Sequence, residues 1–148
     1  MNYKSIQGSF HQGDPKFGHS AGKQCTCCSL FAIAFTLCKS PSRWNNNDLD
    51  FIVEYGDLVY KGLNTEKYLM IPDLPNSLFL LKTNIRVEML ESTYGVISGC
   101  NQTGLILPRN QKVDYNAAGV LFILKGICIS IIWTKKHYFI FDSHSKNE

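Results

Sequence analysis

Residues 11–31 read HQGDPKFGHSAGKQCTCCSLF, and the boundary inside that stretch decides how the chain folds. Up to Lys23 it is polar and rich in glycine; from Gln24 onward it turns strongly apolar. Gly8, Gly13, Pro15, Gly18 and Gly22 recur too often for a regular element, so residues 1–24 are expected to form a long irregular segment. Segments of that kind inside compact domains are usually functional or disordered. In residues 24–38, Cys27, Cys28, Leu30, Phe31, Ile33, Ala34, Phe35 and Leu37 leave no polar face. A helix that is hydrophobic all round is enclosed by the rest of its domain. The run therefore predicts a buried helix whose first turn lies at residues 24–28, with Cys25 at its start.

Downstream, KSPS (residues 39–42) breaks this helix. In NNNDLDFIVEYGDLVYKGL (residues 45–63), Leu49, Ile52, Val53, Val59, Tyr60 and Leu63 recur at helical spacing. Glu54, Asp57 and Lys61 are placed away from that face. Asn47 is the expected N-cap, with Asp48 and Asp50 favourable in the first turn. IPDLPNS (residues 71–77) is a proline-bounded connection, and SLFLLKT and IRVEML (residues 77–83 and 85–90) fit helix or strand equally. The last third is clearer: GVLFILKG, ICISIIWT and HYFIFD (residues 119–126, 127–134 and 137–142) are three β-rich runs spaced as an antiparallel meander. Tyr138, Phe139 and Phe141 alternate poorly, which suggests a last strand covered on both faces. Trp44 and Trp133 are expected to be core or half-buried aromatics. Helices first and strands last give an α+β domain, a buried helix and an amphipathic helix packed on a mainly antiparallel sheet.

With 148 residues, 45% of them hydrophobic and 18% charged, the chain is expected to be a single domain with a continuous core. Its net charge of +3 is modest and no run holds five like charges, which gives no footprint for nucleic acid or an anionic membrane. The apolar stretches are too short to span a bilayer, and the first ten residues lack the apolar centre of a secretory signal. A reducing compartment, cytoplasmic or nuclear, is the expectation. All six cysteines are accordingly expected to be free thiols, with Cys38, Cys100 and Cys128 packed as small hydrophobes.

Two places carry chemistry. The partial positive charge of a helix N-terminus favours a thiolate, the reactive form of cysteine, so Cys25 reads either as a nucleophile or as a helix-cap residue. In FIFDSHS (residues 139–145), Asp142 and His144 are two apart, so an extended strand would project both to the same face. There an imidazole can move a proton while the carboxylate fixes its tautomer. Gln12 and Gln24 each offer a side-chain amide to a developing oxyanion, and their chemistry does not rank them.

These pieces together resemble the papain-like deubiquitinase domain at the N-terminus of the herpesvirus large tegument protein. That family carries a Gln-x-Asp element, a glycine-bearing loop, a Gly-x-Gln-Cys start to its central helix and a Phe-Asp-x-His ending. Here they fall at Gln12 and Asp14, at Gly18 to Ser20, at Gly22 to Cys25 and at Phe141 to His144, in the same order and spacing. The resemblance implies a papain-like fold with Cys25 as nucleophile, His144 as general base and Asp142 as its orienting carboxylate. It ranks Gln12 first for the oxyanion hole, with Gln24 and the Cys25 backbone N–H secondary. It implies ubiquitin or ubiquitin chains as partner, no cofactor or metal, and a monomer that is one catalytic domain of a larger protein. Gly18, His19 and Gly22 are placed along the substrate channel by their nearness to Cys25. Asp14, Glu54 or Asp57 are candidates to meet the arginines of the ubiquitin tail. Residues 40–115 match in pattern alone.

Other readings compete with this one. Cys25 and Cys28 form a C-x-x-C, but a thioredoxin-like motif follows a strand, and here a polar loop precedes it. A structural zinc site needs a second pair or spaced histidines, which Cys100, Cys128, His11, His19 and His137 do not supply. Cys27 and Cys28 are expected to be packed thiols. His137 is a rival base without a paired carboxylate, and His19 is either a solvated loop residue or a cover to the site. An inactive ubiquitin-binding module is disfavoured because every proposed catalytic position holds a competent residue. A cysteine peptidase for another ubiquitin-like modifier, or for ordinary peptides, remains the alternative.

Overall fold

The structure is a computed structural model that describes residues 3–88, 94–97, 100–103 and 117–145. In chain order the elements are α1 (Cys25–Phe35), α2 (Asn46–Gly62), β1 (Ser77–Leu80), β2 (Thr83–Arg86), β3 (Tyr94–Ile97), β4 (Cys100–Thr103), β5 (Ala117–Leu124), β6 (Ile127–Thr134) and β7 (Tyr138–Phe141). A kinked 3-10 segment, Pro15–Ser20, and two shorter turns punctuate the loops. The mixture of helices and antiparallel strands is the α+β architecture expected from the sequence.

The apolar run after Gln24 is buried all round because α1 is the middle layer. All its residues except Leu30 and Ile33 are buried. On one side α2 crosses it at Gly56, where a Cβ would stand 2.6 Å from Cys28 Cα and 2.8 Å from its backbone nitrogen. On the other side lies the sheet β5-β6-β7, antiparallel throughout. There Ile33 fills the space above Gly119, and the Ser29 hydroxyl donates to the Cys128 carbonyl at 3.1 Å. Phe31, Phe35, Trp44, Phe51 and Tyr55 fill the far end of the helix pair, with the Phe51 and Tyr55 rings 4.3 Å apart.

Three local expectations change and one open run is resolved. First, α1 ends at Phe35 rather than at residue 38; Leu37 and Cys38 are exposed, so Cys38 does not pack as a core thiol. Second, the N-cap of α2 is Asn45, not Asn47. Its side chain accepts from the Asp48 N–H while Asp48 accepts from the Asn45 N–H, a reciprocal capping box that residue 47 cannot make. Third, Tyr138 and Ile140 of β7 are exposed while Phe141 is buried, so that strand covers the core with one face. His137 lies just before the strand, exposed, with its carbonyl accepting from Thr134 N–H at 2.9 Å. Fourth, the ambiguous run at residues 77–83 opens a hairpin, β1 and β2, turned by Leu81 and Lys82 at φ of 48° and 65°. The Cys100 side chain and the end of the run at residues 85–90 lie outside the described residues.

Candidate active site

Gln24 is the N-cap of α1 and Cys25 its first residue, so the thiol sits at the helix's positive end. The chain reaches that point through the Pro15–Ser20 segment, which Asp14 caps by accepting from the Lys16 N–H. Gly18 and Gly22 have φ of 62° and 80°, and a Cβ on either would meet nothing within 4 Å. These glycines serve the turn geometry rather than a close approach of neighbouring chain. Both Gly18 and His19 face solvent.

The other half of the site comes from the chain's far end. β7 stops at Phe141, and Asp142 to His144 form a turn rather than an extended strand. Asp142 Oδ1 accepts from the His144 backbone N–H at 3.0 Å and lies 2.6 Å from His144 Nδ1. This side-chain-to-backbone bond two residues on is what aspartate does well at a turn, and here it brings imidazole and carboxylate together. Because Nδ1 meets the carboxylate, Nε2 is the ring nitrogen left for Cys25, whose titration and that of the imidazole shift each other.

Electrostatics follow from these contacts. Burial pushes the Cys25 thiol up, but the hydrogen bond from His144, a backbone hydrogen bond from Cys128 and the imidazolium charge together leave it below its ordinary value. The Asp142 hydrogen bond, joined by that of Cys25, raises His144 to about 9 against the drag of burial. In return, the His144 hydrogen bond holds the Asp142 carboxyl below the usual range. The lowered thiol and the raised imidazole both shift the balance toward a thiolate–imidazolium pair. Cys27 and Cys128 are pushed up to about 12, burial being the largest cause in each case, and the fully buried Cys28 goes well above its ordinary value. Cys28 Sγ faces the Val53 carbonyl at 3.7 Å, turned into the α1–α2 interface. Among the described residues, no group of three or more His, Cys, Asp and Glu is arranged to hold a metal ion.

Gln12 joins the two halves. Its N–H donates to the Ser143 carbonyl at 2.8 Å, and its carbonyl accepts from Gly22 N–H and Gln24 Nε2, both at 3.0 Å. Gln12 and Gln24 are both buried. The Gln24 amide is aimed at Gln12 O and at Asp57 Oδ1, 3.4 Å away, and its oxygen accepts from Lys23 N–H. Asp57 was expected on the outer face of α2, yet it is only 4% exposed, which also removes it from the surface acids able to meet a substrate arginine. Glu54 stays exposed and pairs with Lys16 at 2.8 Å. The signal for Asp57 was present, since Val53, Asp57 and Tyr60 share one helical stripe; its charge made it look solvated.

Residues 7–148 match the family described as "Herpesvirus tegument protein, N-terminal conserved region". A curated relative, the large tegument protein deneddylase of Alcelaphine herpesvirus 1, is 25% identical over 148 residues, covering 92% of this chain and 6% of that protein. The chain thus spans a small fraction of that relative's length. Among solved structures, the ubiquitin-specific protease encoded by a murine cytomegalovirus tegument protein, in complex with a ubiquitin-based suicide substrate, superposes with a TM-score of 0.75. That likeness covers 97% of this chain and 68% of the other at 13% identity, and it speaks for the shared fold. The family match runs over nearly the whole sequence, from the loop before Gln12 past His144, and so the chain belongs to the herpesvirus tegument protein N-terminal family.

Proposed function

We propose that this chain is a cysteine protease that hydrolyses the bond between the C-terminal glycine of ubiquitin and a lysine amine. The observation that carries the reading is the placement of Cys25, at the head of α1, within electrostatic reach of His144, itself bonded to Asp142 at 2.6 Å. In the proposed mechanism Cys25 attacks the glycine carbonyl as a thiolate, its proton already held on His144. The tetrahedral oxyanion takes a hydrogen bond from the Gln12 side chain. His144 then protonates the leaving amine, with Asp142 fixing its ring, and water hydrolyses the thioester. Residues 1–148 work as one monomeric catalytic domain in a reducing compartment, cytoplasmic or nuclear, where Cys25 stays reduced. Gly18, His19 and Gly22 line the approach to it.

A second substrate reading has a specific motive. The curated relative is named a deneddylase, so a ubiquitin-like modifier is the alternative to ubiquitin at the same site. Ubiquitin and that modifier, each carrying a C-terminal electrophile, separate the two when offered to the wild type, Cys25→Ala and Cys28→Ala. Labelling of the wild type and Cys28→Ala, and none of Cys25→Ala, is the expected result. Labelling that persists in Cys25→Ala removes the nucleophile, and the faster-reacting modifier identifies the substrate.

A further inference from the structure

Asp57 is a carboxylate in the buried stripe of an amphipathic helix, where an apolar residue would pack without desolvation cost. Its oxygens are fully engaged. Oδ1 accepts from the Ser20 hydroxyl and from Gln24 Nε2, and Oδ2 pairs with Lys61 at 2.6 Å. Gln24 in turn is completely buried, and an amide nitrogen has two hydrogens to place. One goes to Gln12 O at 3.0 Å and the other points to Asp57, while Oε1 takes the Lys23 N–H at 3.0 Å. Rotating the amide by half a turn would set its oxygen against the carboxylate and its NH2 against an N–H. A group that only accepts therefore fixes which way Gln24 faces.

The consequence falls on Gln12. Its main chain is pinned at both ends, by Ser143 on one side and by Gly22 and Gln24 on the other. Its side-chain Oε1, by contrast, is buried with no hydrogen-bond partner among the described residues. We propose that Asp57 is a positioning residue: through Gln24 it holds the Gln12 main chain and so sets where the Gln12 amide stands relative to Cys25. This rests on Gln12 being the oxyanion donor. Gln24 then acts as a strut between α2 and the loop and not as a second donor. A donor displaced by about 1 Å costs on the order of a hundredfold in rate, so the strut has something to protect.

Two reactions of Cys25 test this. Hydrolysis of a ubiquitin C-terminal amide passes through an oxyanion; alkylation by ubiquitin bearing a C-terminal alkyl bromide forms a thioether, expels bromide and has none. Gln24→Met keeps the volume and removes both donors, and Asp57→Leu keeps a similar volume and removes the acceptor. Each is expected to lower kcat for hydrolysis about tenfold to a hundredfold with KM and the alkylation rate within about twofold. In a Gln12→Ala background neither should lower kcat further, because the group they position is gone. The assignment is overturned if hydrolysis and alkylation fall together, if the losses multiply with that of Gln12→Ala, or if Asp57→Leu matches the wild type. A wild type that is alkylated but hydrolyses no ubiquitin amide, or does neither, overturns the proposed function and this role with it.

Discussion

Cys25 and His144 move each other's protons in opposite directions, and that fixes the sign of the pH dependence. The reactive pair exists above the lowered thiol value and below the imidazole value of about 9, and the two titrate as a unit. For hydrolysis of a ubiquitin amide, kcat/KM should rise as pH climbs through the lowered thiol limb and fall as pH passes about 9. The fall reflects loss of the proton the leaving amine needs. Alkylation has no leaving amine, so it should share the first limb and keep its rate above the second. Since the Asp142 hydrogen bond is the main cause of the raised imidazole, Asp142→Asn should move the alkaline limb of hydrolysis to lower pH. A limb that stays in place in Asp142→Asn would separate the carboxylate from the proton chemistry. At this scale Cys25, Asp142 and His144 were legible because each stands where an apolar element begins or ends. Asp57 was not, because a charged residue on a helix reads as solvated until its partners, Ser20, Gln24 and Lys61, are seen.

Among the described elements, α2 approaches α1 closely at Gly56, and that contact bears on how the helix carrying Cys25 is held. A Cβ on Gly56 would meet Cys28 Sγ at 2.5 Å, Cys28 Cα at 2.6 Å and its backbone nitrogen at 2.8 Å. Two of those three atoms are backbone and cannot rotate away. Gly56→Ala should therefore destabilise the fold by about 1–3 kcal/mol, although alanine is the better helix former by roughly 1 kcal/mol. Denaturant midpoints at unchanged slope measure this. Cys28→Ala should not rescue the variant, since the sulfur is the lesser obstacle; full rescue would mean that the helices can part cheaply. Periodicity made both helices and the three-strand meander readable in the sequence, because their apolar residues recur at the spacing of the element. It did not place the ends. α1 stops before Leu37 because the chain leaves the core there, and the cap of α2 falls on Asn45 because only that residue sits three before Asp48.

For the whole molecule, the two halves of the site meet only because α1 is sandwiched between α2 and the sheet, with the chain's end returning along β7. Apolar patterning announced a buried helix and a sheet but not their order in space; the pairing of Cys25 with His144 was legible through the ends of the sequence, where the family resemblance lay. The link is short: Gln12 N–H to Ser143 O on one side, and β6 carrying Cys128 against Cys25 on the other. β6 is held in place by Ile132, fully buried under α1 in the core cluster that includes Phe31 and Phe141. Truncating it to Ile132→Ala should cost about 2–4 kcal/mol through lost burial and the cavity left behind. Well below its lowered unfolding temperature, that variant should still be labelled by the ubiquitin electrophile at close to the wild-type rate. On heating, labelling and far-ultraviolet circular dichroism should be lost together, because the halves of the site have no means of staying together once the layers separate. Labelling that disappears many degrees before the helices melt would instead show that the turn at Asp142 to His144 opens by itself, and that the sheet carries the site without fixing it.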